Sequence, residues 1–105
     1  MVKIEKQRYI LFKIIKDENT QFEEQSFLNS IWQSIWKYFG MKGANKVGLW
    51  LLELNLEKNF GIIRCSTKTK EEIITALTLI KEINNERVIF SPIKTSGTIK
   101  GIKKI

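Results

Sequence analysis

The stretch Val47-Gly48-Leu49-Trp50-Leu51-Leu52-Glu53-Leu54-Asn55-Leu56, the pair Glu57-Lys58, and then Asn59-Phe60-Gly61-Ile62-Ile63-Arg64-Cys65 decide the fold. Two runs rich in aliphatic and aromatic residues flank a short polar break, the pattern of a β-hairpin. A turn centred on Glu57-Lys58 sets Trp50 opposite Cys65, Leu52 opposite Ile63 and Leu54 opposite Gly61. The other face then pairs Leu51 with Arg64, Glu53 with Ile62 and Asn55 with Phe60. Side chains alternate between faces along a strand, so this register separates an apolar face from a mixed one. The first set is expected under the helices. Val47, Leu49, Leu51, Phe60, Ile62 and Arg64 are expected on the open face.

Upstream, residues 8–16 read as a strand, with Ile10, Phe12 and Ile14 toward the core and Tyr9, Leu11 and Lys13 on the open side. After the polar break Asp17-Glu18-Asn19-Thr20, Thr20 and Glu23 have capping-box spacing. Phe27, Leu28, Ile31, Trp32, Ile35, Trp36 and Phe39 recur at helical spacing, which predicts one broad core-facing stripe, and Gly40 is placed to end that helix. Residues 41–46 form a basic, glycine-containing loop. Downstream, Thr69 and Glu72 offer a second capping box ahead of Ile73, Ile74, Leu77, Ile80 and Ile83. Residues 87–93 read as a last strand, with Pro92 at an edge or strand end. From about residue 94 a short basic tail follows.

The order β-α-β-β-α-β is that of an α+β, ferredoxin-like domain. Two helices cover one face of a four-stranded antiparallel sheet, the geometry of an RNA-recognition-motif-like sandwich, with residues 1–105 as one domain. The open face carries too much apolar surface to stand in water uncovered. A tail, a protein partner or unstacked bases must cover part of it.

The formal net charge is +7, and it is concentrated at the ends. Residues 1–16 carry Lys3, Lys6, Arg8, Lys13 and Lys16 against Glu5. From Arg87 onward come Lys94, Lys100, Lys103 and Lys104 with no acid. A polyanion is drawn to such ends by counterion release, which points to nucleic acid. There is no histidine, so Ser-His-Asp and Cys-His catalysis and His-based metal sites are excluded. Cys65 is the only cysteine and is expected to pack in the core as a free thiol. Asp17, Glu18, Glu23 and Glu24 are the one bunched set of acids, and helix capping accounts for them better than a metal-ion nuclease site does. No signal peptide or membrane span is visible, and a cytoplasmic location is expected.

Lys58 to Cys65 follows the third-strand signature of RNA-recognition motifs at its basic start, Phe60, Gly61 and Ile63, and departs from it at Asn59, Ile62 and Cys65. A wider resemblance spans Arg8 to Lys100. It is carried by Arg8-Tyr9-Ile10-Leu11-Phe12, the Trp-bearing helix closing on Phe39-Gly40, Gly61-Ile62-Ile63-Arg64-Cys65, Ala76-Leu77, and Ser96-Gly97-Thr98-Ile99-Lys100. Together these resemble the archaeal ribonuclease P protein component 2 family, of the Pop-five type.

The resemblance implies a non-catalytic subunit that assists a catalytic RNA in removing the 5′ leader of precursor tRNA. The implied partners are ribonuclease P RNA, precursor tRNA and the component 3 protein, with self-association in a two-plus-two assembly. No cofactor is expected on the protein, magnesium being bound by the RNA. Phosphate contacts are expected from Lys3, Lys6, Arg8, Lys42, Lys46, Arg64, Lys100, Lys103 and Lys104. A protein-facing surface is expected from Tyr9, Leu11, Val47, Leu49, Leu51, Phe60 and Ile62. Arg64 has two readings, a phosphate or partner contact and a pair with diagonal Glu53. The short tail leaves little room for an additional C-terminal helix. The competing function is a ferredoxin-like regulatory domain that binds a protein or small ligand through its open face.

Overall fold

A computed structural model describes residues 6–40 and 48–103, with the side chain of Lys103 excepted. Strand β1 (Gln7–Lys16) leads to helix α1 (Glu24–Phe39), the hairpin β2 (Trp50–Asn55) and β3 (Phe60–Ser66), and helix α2 (Lys70–Leu79). Strands β4 (Glu82–Ile83) and β5 (Glu86–Ser96) and a short helix α3 (Ile99–Lys103) complete the chain. The sheet order is β2-β3-β1-β5-β4, and every pairing is antiparallel. Without β4 this is the sheet of a ferredoxin-like unit.

The sheet has five strands rather than the expected four. The second helix ends at Leu79, and the two residues of β4 pair with the start of β5. Asn84 and Asn85 make the intervening turn with φ of 54° and 68°. Two consecutive left-handed residues give the tight hairpin that asparagine tolerates. Ile80 and Ile83 are buried, as expected for core residues, but from outside the helix.

The helix-covered face is built on alternation in β1. Ile10, Phe12 and Ile14 are buried with Phe27, Ile31 and Ile35 of α1, Ile73, Ala76 and Leu77 of α2, and Val88 and Phe90 of β5. Phe12 stacks on Phe27 with ring centroids 5.5 Å apart, and Phe90 meets both edge-on at 5.6 and 5.1 Å. Such offset and edge-to-face pairs are the arrangements aromatic quadrupoles favour. Between the helices, Ser34 donates a buried hydrogen bond to the Ala76 carbonyl at 2.8 Å.

Neither expected capping box forms. Glu23 and Thr69 occupy the N-cap positions without side-chain cap bonds, and the Thr69 hydroxyl turns back to the Ser66 carbonyl. Trp32 packs against the core, whereas Trp36 is 52% exposed and Phe39 is also exposed. The buried stripe therefore stops at Ile35 and does not take in the last turn of the helix.

The hairpin register holds from Glu53 onward, where Glu53, Leu54 and Asn55 face Ile62, Gly61 and Phe60. Before Glu53 it is displaced by one residue, with Leu51 opposite Ile63 and Trp50 opposite Arg64. Leu52 is the extra residue of a β-bulge, which reverses the facing of everything upstream in the strand. Leu49 and Leu51, expected on the open face, pack against the core instead, while Trp50 and Leu52 are exposed.

Candidate functional site

Direct strand pairing lays the residues of the open face out in rungs across the sheet. The first rung runs Ser96, Tyr9, Arg64, Trp50 over β5, β1, β3 and β2. The second runs Lys94, Leu11, Ile62, Glu53. Lys13 and Phe60 stand in the third, and Ile15 pairs with Ile89 at the far end.

The chain covers the middle rung itself. Gly97 and Thr98 turn the backbone over the sheet, with the Thr98 amide donating to Ser96 Oγ at 3.2 Å and the Gly101 amide to Thr98 Oγ1 at 3.0 Å. Helix α3 then seats Ile102, with no exposed surface, on Leu11 and Ile62, flanked by Tyr9 and Phe60. Lys94 Nζ closes the strap by donating to the Gly101 carbonyl at 2.8 Å. The tail does form a C-terminal helix, the five residues Ile99–Lys103. Leu11 and Ile62, expected to meet a partner, are buried by the chain's own tail, and Tyr9 and Phe60 are partly covered. Val47 lies outside the described residues.

Of the expected phosphate contacts, Lys6 and Lys100 are exposed and Arg8 and Arg64 are half-buried. Lys3, Lys42, Lys46 and Lys104 lie outside the described residues, as does the side chain of Lys103. The fold brings Arg8 of β1 to the start of the basic tail. Arg8 precedes the first rung on β1, and its guanidinium lies over Gly97, where an added Cβ would come within 2.9 Å of Nη1. Lys100 follows three residues later in the strap. The opposite end of the sheet has a different character. A cleft there is lined by Asp17, Glu18, Asn19, Thr20, Glu86 and Arg87. The charge segregation legible along the chain thus becomes a basic end and a mixed, acid-bearing end of one sheet.

Arg64 does not pair with Glu53. Among the described residues the one salt bridge joins Lys70 and Glu71 at 3.5 Å. The Arg64 guanidinium instead lies 5.8 Å from the Trp50 ring centroid, within cation–π range. Trp50, like Leu49, Leu51 and Leu52, faces the side opposite to the one its sequence register predicts. The apolar run Leu49 to Leu52 has no alternation from which a bulge could be read. Lys94, the strap's anchor, was visible only as part of the basic tail. Cys65 is buried on the helix side, and desolvation raises its thiol pKa from 9.0 to about 11, with Lys70 opposing and Glu72 reinforcing the shift. Such a thiol is no nucleophile at neutral pH.

A family model described as the Rpp14/Pop5 family matches residues 8–105. The chain is 34% identical over 100 residues to "Ribonuclease P protein component 2" of Pyrococcus furiosus, covering 95% of this chain and 82% of the relative. It is 33% identical over 99 residues to the protein of the same description from Methanocaldococcus jannaschii, covering 94% of this chain and 71% of that one. In structure it is similar to a chain of the cryo-EM structure of yeast ribonuclease MRP. The TM-score is 0.71 at 9% identity, over 93% of this chain and 79% of the other, a likeness of fold.

Proposed function

The chain belongs to the Rpp14/Pop5 family, and on that premise we propose that it is a protein subunit of ribonuclease P which binds RNA and leaves the chemistry to it. The observation that carries this reading is the meeting of Arg8 with the start of the basic tail beside the first rung of the sheet. Arg8 lies over Gly97, with Lys6 two residues before the one and Lys100 three residues after the other. Cations gathered on one edge of a folded domain make a phosphate-binding surface, which positions an RNA without reading its sequence.

In this reading the substrate is precursor tRNA, cleaved at its 5′ leader by the RNA subunit with RNA-bound magnesium, in the cytoplasm. The protein partner is the component 3 protein, in a two-plus-two assembly. The strap leaves Tyr9, Phe60, Leu52 and the helical surface around Trp36 as the apolar area a protein could still reach. No helix among the described residues is long and apolar enough to cross a membrane.

Reconstitution tests the proposal. The cognate RNA, this chain and component 3 are combined, and precursor tRNA cleavage is followed across a magnesium series. Stimulation over RNA alone, greatest at low magnesium, is expected. No stimulation at any magnesium concentration rejects it. A binding affinity for RNA that does not change with salt favours the regulatory-domain reading instead.

A further inference from the structure

We infer that Trp50 and Arg64 form a stacking platform for one unpaired base of the ribonuclease P RNA, an inference that rests on the RNA-binding reading above. Trp50 is 59% exposed, although it sits in a strand and directly faces a cation. The bulge at Leu52 is what turns it outward. Arg64 lies against the ring at 5.8 Å, which leaves much of the indole open to solvent. An aromatic ring held on a strand beside a guanidinium suits a nucleobase, which stacks on the indole while the cation draws the adjoining phosphate.

The position of the strap supports a base rather than more of this chain as the occupant. Helix α3 packs on β1 and β5, and Ile102 stops at the second rung. The first rung keeps Trp50 and Arg64 outside it. Charge selects between RNA and a protein. Arg64 lies in the platform, and Lys94 and Lys100 stand on the strand and strap that flank it on the same face, whereas Arg8, opposite Cys65, leaves β1 from the other face. One carboxylate, Glu53, stands in the second rung. A phosphodiester chain fits this balance better than an acid-poor apolar peptide. Trp50 stands on the edge strand, two strands from Tyr9 of the same rung and separated by the second rung from Phe60, so the platform ring is neither member of that aromatic pair.

The full-length chain is titrated onto its cognate ribonuclease P RNA at several salt concentrations, as wild type and as Trp50→Leu, Trp50→Phe and Arg64→Lys. A lost single-base stack weakens binding about tenfold or more. Trp50→Leu should show that loss with an unchanged salt slope, because no phosphate contact is removed. Trp50→Phe should recover most of the affinity. Arg64→Lys, which keeps the charge but not the plane, should fall between. RNA should quench tryptophan fluorescence in the wild type, and Trp50→Phe, which retains Trp32 and Trp36, should lose that quench. Circular dichroism melts establish that the variants are folded.

Salt-dependent binding by the wild type with Trp50→Leu within twofold of it overturns the platform and leaves the subunit reading intact. Unchanged RNA affinity with weakened capture of component 3 also overturns it, and gives Trp50 to a protein interface. Absence of any salt-dependent RNA binding by the wild type removes both readings.

Discussion

Gly61 of β3 lies directly beneath the ring of Phe12 on β1, so close that a Cβ at Gly61 would overlap the ring atoms. The two residues are cross-strand partners, and the ring covers the missing side chain. Phe12 in turn stacks on Phe27, which fixes the ring from the other side. Gly61→Ala should therefore push Phe12 into α1 and destabilise the domain by ~1–3 kcal/mol, the usual cost of overpacking. Urea unfolding at constant m-value measures it. A neutral substitution means that the ring is free to move.

The strap should open without unfolding the domain. Ile102 covers Leu11 and Ile62 through one side chain and one lysine clasp. Ile102→Ser should expose both and increase binding of a hydrophobic dye, with a stability loss toward the lower end of the ~2–5 kcal/mol known for buried aliphatic truncations. Dye binding equal to wild type is the opposing result.

Lys6 and Lys100 should each behave as one phosphate contact. Replacing either by Gln is expected to weaken RNA binding uniformly across sequences and lower the log-affinity against log-salt slope by roughly one. A slope unchanged by both replacements excludes that end of the sheet from the RNA interface.

Cys65 supplies a pH dependence. Its thiol pKa is raised on folding, so the folded state holds its proton more tightly than the unfolded state does. The stabilisation is fully present below the ordinary value of 9.0 and is lost as pH rises through about 11. Cys65→Ala should flatten the alkaline limb of the stability profile in that window, alongside a constant cavity cost. A thiol reagent at pH 7 should label the unfolded chain and spare the folded one.

The parts of the fold legible in the sequence are those with a clean period. β1 carries Ile10, Phe12 and Ile14 at every second position, with Lys13 marking the other face, and α1 repeats its apolar positions from Phe27 to Ile35, so both could be assigned to faces. The hairpin beyond Glu53 was legible because its turn fixes the register. The missed features lack a period. Leu49 to Leu52 is continuously apolar, and a bulge inside it leaves no trace, which hid Trp50. Helix α3 has five residues, too few for a repeat, and Ile102 alone marks its buried side. The Asn84-Asn85 pair did carry a turn signal, but the helical spacing of Ile80 and Ile83 obscured it. The approach of Arg8 to the basic tail followed only once β1 and β5 were paired.

Because the strap crosses the sheet at its second rung, it divides the open face into two separate surfaces. Trp50 and Arg64 lie on one side of it, and the Ile15–Ile89 pair lies at the far end beyond Lys13 and Phe60. No rung is shared between them. Substitutions at the two ends should then add in free energy with little coupling, and either end can change its partner without re-specifying the other.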